Sequence, residues 1–263
     1  MTAPTNAHII GPFDDPLSSE EGLSQLGRER TLNTAIPPLD DVIRGLKSSQ
    51  ATLLDSDTGY ASELMHILCV RSLAEFGEEV IWIDGGNVID PYTLSALCKR
   101  LGHDKHAMLS MVNVARAFTA YQLVSLVDDG LETEAERCAP STIIVSSISD
   151  MFMDKDMRRY ESYQLLRRCA DEVARVTKER DTITVVSSHT PGRVRPEPKV
   201  MSLLHGAFDR SVRIRASRNG ISVRSSREGR SAYFLPVPWN QMVLDDFTGG
   251  FHGEDRTNIP RRP

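Results

Sequence analysis

The chain has 263 residues with a formal net charge of −5, long enough for one or two domains with a sizeable buried core. Its 40% apolar and 25% charged residues, with 17 glycines and 14 prolines, are an ordinary globular composition and exclude collagen-like, wholly disordered and disulfide-scaffold classes. No run of roughly 18 apolar residues exists to span a membrane, and the opening Met1-Thr2-Ala3-Pro4-Thr5-Asn6-Ala7-His8 shows neither a basic leader nor a long apolar stretch, so an intracellular, cytoplasmic protein without a membrane partner is expected.

Residues 1–30 are polar and short of aromatics and read as a flexible tail with one helical turn near 22–28. Pro37-Pro38-Leu39-Asp40-Asp41-Val42-Ile43 starts a short helix with prolines at its front and stops at Gly45. An apolar strand over 51–54 halts at Asp55-Ser56-Asp57-Thr58-Gly59, and 61–76 then carries helical apolar spacing at Leu64, Ile67, Leu68 and Leu73. The alternation continues with strands over 80–84, 111–114, 142–147 and 182–188, and helices over 91–101, 120–131 and 160–179. Strands apolar on both faces, alternating with helices, predict an α/β fold with a mostly parallel sheet covered on both sides. A loop over 190–200 follows. Residues 211–217 then alternate, Asn219-Gly220 reads as a hairpin turn, 221–225 alternate again and 232–237 supply a last strand, together a C-terminal β-ribbon. Residues 239–263 read as a tail whose one apolar spot is Phe247-Thr248-Gly249-Gly250-Phe251, which leaves 31–238 as the core domain.

Cys69, Cys98, Cys138 and Cys169 stand 29, 40 and 31 residues apart, without a C-x-x-C pair to seed a zinc site, and read as core thiols. Charge is unevenly spread. Residues 193–230 hold ten Lys or Arg against Glu197, Asp209 and Glu228, a local net of +7 that leaves −12 on the other 225 residues. Such a basic band suits a polyanionic partner, and solvated strand faces give the same count.

This order of elements resembles the core of the RecA/RadA recombinases. Thr34-Ala35-Ile36-Pro37-Pro38-Leu39-Asp40-Asp41-Val42-Ile43-Arg44-Gly45-Leu46 is similar to that family's "T-G-I-x-x-L-D-x-x-L-G-G-G" opening, Ala115-Arg116-Ala117-Phe118 with Gln122 to its "A-R-A-x-N…Q" segment, and Arg213-Ile214-Arg215 to its "R-L-x-L-R" strand. The likeness covers residues 31–237 and implies a RecA-like P-loop NTPase core.

The chain departs from the pattern where that family binds and hydrolyses ATP. The phosphate loop G-x-x-x-x-G-K-[ST] falls on Asp55-Ser56-Asp57-Thr58-Gly59-Tyr60-Ala61-Ser62, with Asp55 and Tyr60 at the glycines, Ala61 at the lysine and only Ser62 fitting. The motif needs glycines so that backbone N–H groups approach the phosphates, and a lysine to neutralise them. A lost charged hydrogen bond is worth about 1.5–3 kcal/mol. A carboxylate roughly 5 Å from a phosphate charge costs on the order of 3 kcal/mol at an effective dielectric near 20. Together they weaken nucleotide binding by roughly three orders of magnitude or more. Asp55 or Asp57 is expected to cap the following helix instead. Ser146 stands where the Walker B strand should end in a magnesium-holding Asp, Gly86 where a glutamate should orient the attacking water, and Ser188-His189 where Asn-Gln should sense the γ-phosphate. No catalytic residue and no cofactor are therefore expected, ATP with magnesium entering only if a partner completes the site. Ser146, Ser147, Ser187, Ser188, His189, Asp84 and Asp55 should gather at the carboxyl ends of the strands, but no G-x-S-x-G elbow is present to activate a serine.

In the family, two loops on one side of the sheet line the DNA. The matching segments here, 151–160 and 189–199, offer Arg158, Arg159, Arg193, Arg195 and Lys199 as cations, with Phe152, Tyr160 and three methionines able to pack on unstacked bases. Arg213, Arg215, Arg224 and Arg227 fall on one face of the terminal strands, either a solvated face or one that meets phosphates or an acidic partner; Arg116 reads as a ligand or as a salt-bridge partner. The resemblance thus implies a non-catalytic RecA/RadA-like recombinase paralogue, accessory in recombination and repair. Its partners would be single-stranded DNA, a RecA/RadA-type recombinase or further copies of itself. The alternatives are an ATP-dependent DNA-repair ATPase completed by a partner, and a KaiC-like interaction or signalling module without DNA binding.

Overall fold

The computed structural model describes residues 30–218 and 220–236. The expected tails at 1–29 and 239–263, the helical turn near 22–28 and Asn219 of the hairpin turn lie outside the described residues.

In chain order the elements are β1 (Thr31–Leu32), α1 (Pro37–Ile43), β2 (Leu46–Lys47), β3 (Gln50–Ser56), α2 (Tyr60–Phe76), β4 (Val80–Asp84), α3 (Pro91–Arg100), α4 (Lys105–Ser110), β5 (Val112–Arg116) and α5 (Ala120–Ser125). A π-helical stretch, Leu126–Leu131, runs from α5 into α6 (Glu132–Cys138). Then come β6 (Thr142–Ser146), a 3-10 turn (Asp150–Met153), α7 (Arg159–Glu179), β7 (Ile183–Ser187), α8 (Pro198–Ala207), β8 (Arg210–Ser217), β9 (Gly220–Ser225) and β10 (Ser231–Phe234). Among the described residues an eight-stranded sheet runs β10-β9-β8-β3-β7-β6-β4-β5, parallel from β8 to β5. The fold is α/β with a mostly parallel central sheet.

Alternation along each buried strand splits the core in two. Leu54, Trp82, Ile144, Val185 and Val212 pack under α1, α2 and α3, while Leu53, Ile83, Val145 and Val186 pack under α5, α6, α7 and α8. Both faces are therefore covered, as apolar strands in a parallel sheet require. Cys69, Cys98 and Cys169 are buried within these layers and Cys138 is half-buried.

Several boundaries differ from the sequence expectation. The expected β-ribbon is not separate: β8 pairs in parallel with β3, Asp55 lying opposite Arg213, and β9 and β10 continue the same sheet antiparallel. Strand β3 extends through Asp55 and Ser56 because that pairing carries it on. Helix α8 occupies the end of the expected loop, with Pro198 in its first turn, where a missing N–H costs nothing. Helix α4 was not expected either; at six residues it owes its cap to Asp104, whose side chain accepts from His106 N–H at 2.8 Å. Gly220 is needed by close approach: a Cβ there would lie 2.5 Å from the Phe234 carbonyl oxygen, so only glycine lets β10 close on β9.

Candidate functional site

The phosphate-loop position is a turn closed on itself. Helix α2 begins at Tyr60, so only Asp57, Thr58 and Gly59 separate it from β3. Thr58 N–H donates to Ser56 Oγ at 3.1 Å, Tyr60 N–H to Thr58 Oγ1 at 3.2 Å, and Asp57 N–H to the Ile214 carbonyl at 3.4 Å. Three of the N–H groups that would cradle a phosphate thus already have acceptors. Tyr60 is buried edge-to-face against Phe234 at 5.9 Å, and burial pushes its phenol well above the ordinary range. Ala61 is buried in the core, so a lysine there would carry its charge into an apolar layer; Ser62 is half-buried and its carbonyl accepts from His66 Nδ1–H at 2.7 Å. Gly59 has α-helical backbone angles and open space around it, so no phosphate-style approach depends on it.

Neither Asp55 nor Asp57 caps α2, contrary to the expectation. Both turn sideways to β8. Arg215 donates to Asp55 Oδ2 at 2.8 Å and to the Asp55 carbonyl at 2.7 Å, Arg213 Nε reaches the same carboxylate at 3.3 Å and His205 Nε2 stands 3.6 Å away. Asp57 Oδ1 accepts from Ala216 N–H at 3.1 Å. Burial alone would push the Asp55 carboxyl up, but the hydrogen bonds from His205 and Arg215 and the charge of Arg215 hold it well below the usual carboxylate range. Arg215 is thereby drawn to an internal acid, while Arg213, Arg224 and Arg227 remain exposed, as a solvated face requires.

The ends of β4 and β6 are closed by internal partners in the same way. Ser146, beside Asp84 in register, donates to Asp84 Oδ1 at 2.8 Å and accepts from Trp82 Nε1–H at 3.1 Å. Asp84 is fully buried and also accepts from the N–H groups of Gly86, Val88 and Ile89 at 3.1–3.2 Å, with Arg116 Nε 3.3 Å from Oδ2. It organises the 85–89 turn, and Arg116 is its salt-bridge partner. At Gly86 a Cβ would lie 2.6 Å from Thr190 Oγ1 and 2.7 Å from Ser147 Cβ, a space closed by the Ser147–Thr190 hydroxyl pair at 2.9 Å. Ser187 Oγ accepts from Ser147 N–H at 2.7 Å, and Ser188 is hydrogen-bonded to His189 Nδ1 at 2.9 Å. The expected cluster therefore does form at the strand ends. Ser188 is fully buried, however, and can touch no substrate. Among the described residues no group of three His, Cys, Asp or Glu side chains converges as a metal site would require.

An open groove lies beside this closed centre. It has a volume of about 620 Å³ and lies between the 118–121 turn, the 151–157 loop and Gly192-Arg193-Val194. Met151, Met153 and Met157 contribute soft apolar surface, and Phe118 and Tyr121 add exposed rings, 71% and 58% accessible. Tyr121 Oη donates to Glu161 at 2.6 Å, which fixes its ring. Arg158, Arg193, Arg195 and Lys199 are exposed, and Arg159 reaches Glu197 at 3.4 Å, tying the two loops together. Asp150 also borders the groove, but its carboxylate accepts from Thr190 N–H and faces Arg193 at 3.8 Å; burial pushes its carboxyl up. Phe152 is buried in the core and offers no stacking surface, whereas Tyr160 is exposed. The sequence reading missed Phe118 as a surface ring, Tyr121 and His205. The first two follow a strand end, where ligand contacts concentrate, and that was the available signal.

Among the described residues β5 is the end strand of the sheet with one side unpaired, and next to it Ile81, Val114, Leu126 and Leu131 line a second groove of about 310 Å³. The chain matches no protein-family model and no curated protein. No helix among the described residues is long and apolar enough to cross a membrane.

Proposed function

We propose that this chain is a non-catalytic RecA/RadA-like paralogue that binds single-stranded DNA along the groove between its 118–121, 151–157 and 192–194 segments and assists recombination without turning over ATP. One observation carries the reading. Two arginine-bearing loops and an aromatic turn, distant in sequence, converge on one open groove whose wall holds methionines, rings, Asp150, Asp154 and Arg193, with Arg158, Arg159 and Arg195 exposed next to those segments in sequence. Bases stack on rings whatever their sequence, and phosphates follow flanking cations, so this arrangement suits an unpaired strand better than a duplex. The RecA-like fold is supported by the parallel sheet with the phosphate-loop position at a central strand end. The absence of turnover is supported by the internal acceptors of the 57–60 turn and the lack of room at Gly86.

The test is a titration of a labelled single-stranded oligonucleotide at about 50 and 200 mM salt, repeated with Arg158, Arg159, Arg193 and Arg195 changed to alanine. The reading requires binding that weakens steeply with salt and falls in the variant. Absence of binding at the lower salt removes it. A thermal shift with millimolar ATP and magnesium would instead favour an ATPase completed by a partner.

A second reading, contact with a recombinase-type protein, rests on the β5 edge. An unpaired strand edge beside an apolar groove can accept an added strand and one of its side chains. Changing Val114 to Lys should then abolish co-migration with the partner while leaving oligonucleotide binding intact.

A further inference from the structure

On the opposite face of the sheet from the α5 layer lies an apolar groove of about 450 Å³ that neither reading uses. Ile36 before α1, Ile67 of α2, Leu97 of α3, Leu101 just after α3, and Phe234 and Leu235 at the end of β10 line it. Leu101 and Leu235 are 44% and 72% exposed, a large apolar rim to leave in water. Arg71 and Arg100 also border it, against one acid, Glu63.

We propose that the occupant is the chain's own segment 237–244, Val-Pro-Trp-Asn-Gln-Met-Val-Leu, with Trp239 as its anchor. Pro236 is itself part of the groove wall, so the segment starts at the site it would fill. Trp239 follows three residues later, a reach of about 10 Å at most for an extended chain. Such tethering makes the contact intramolecular, with an effective concentration on the order of millimolar. Composition agrees, because Trp239, Met242, Val243 and Leu244 are apolar, like the groove wall.

The chain has two tryptophans, and Trp82 is fully buried, so fluorescence isolates Trp239. Iodide quenching of the full-length protein should find Trp239 shielded several-fold relative to a free tryptophan peptide, with a Trp239→Phe variant supplying the Trp82 background. Leu101→Asp, and independently Leu235→Asp, should release it to the quenching of the free peptide while Trp82 stays shielded. The second variant changes a side chain that is mostly exposed, so a folding failure of the first does not decide the matter. Trp239 quenched like the free peptide in the unaltered protein overturns the proposal. So does shielding that survives both variants, or shielding that disappears on strong dilution, which would assign the groove to a second copy.

Discussion

Arg215 of β8 donates from one guanidinium to both the side chain of Asp55, at 2.8 Å, and its backbone carbonyl, at 2.7 Å. Asp55 is thus the anchor of the β3–β8 strand pair. Removing it as Asp55→Ala leaves Arg215 and Arg213 facing each other without their acid, and breaking a largely buried pair in this way costs on the order of 3 kcal/mol. Urea unfolding should show that loss. The acid limb follows from the same contact. Asp55 ionises more readily folded than unfolded, so its contribution is complete above about pH 4 and is lost as pH falls further, when the unfolded chain takes up the proton first. The Asp55→Ala protein should therefore lose less stability than its parent below that pH.

A glutamate at position 86 should unfold the centre. Gly86→Ala already forces a methyl group against Thr190 Oγ1 and Ser147, an overpacking worth about 1–3 kcal/mol, and Gly86→Glu must displace the Ser147–Thr190 pair altogether. Thermal unfolding should rank the parent above Gly86→Ala and that above Gly86→Glu. A Gly86→Glu protein as stable as its parent would show that the space is not closed.

At this centre the departures from the motif were legible in the sequence, and the partners that its residues take were not. Asp55, Ala61, Ser146 and Gly86 depart from a local motif, which a reading along the chain can see. That Asp55 would turn to Arg215 depends on a strand pairing across 160 residues, and neither propensity nor periodicity encodes it. The strands and long helices were readable because both sheet faces are buried, which produces continuous apolar runs. Helix α8 was hidden because a proline-rich approach to a helix looks like the end of order when Pro198 in fact begins one. The groove was half legible: Arg193 was evident, but Phe118 and Tyr121 join it only through the ends of β5 and β6, which flank β4.

Rings and cations in the groove should separate by their salt behaviour. If single-stranded DNA binds there, Phe118→Ala removes a stacking surface worth about 1–3 kcal/mol per base and lowers affinity equally at every salt concentration. Arg193→Ala or Arg195→Ala removes a phosphate contact and instead reduces the slope of log affinity against log salt by about one. Fluorescence anisotropy over a salt series reads both. Equal effects on slope from the ring and the arginines would contradict the division of labour.

Buried His66 sets a second pH limit, nearer neutrality. Its Nε2 accepts from Asp90 N–H at 2.9 Å, so the proton is on Nδ1, donated to the Ser62 carbonyl, and the ring lies 4.9 Å from that of Trp82. Burial lowers its pKa, and the carboxylates of Asp90, Asp84 and Glu63 oppose that shift without reversing it. The native state holds the imidazole neutral, while the unfolded chain protonates it from about pH 6.5 downward. Stability is consequently full above that pH and falls below it, by up to about 1.4 kcal/mol per pH unit until the folded form titrates too. His189, lowered by burial as well, acts in the same direction, whereas Asp150, raised by burial, acts in the opposite one. Comparing His66→Gln with the parent cancels both. Urea midpoints at about pH 7.5 and 5.5 should drop more in the parent than in the variant; equal drops would mean that His66 is protonated in the folded protein and that its bond from Asp90 N–H is not made.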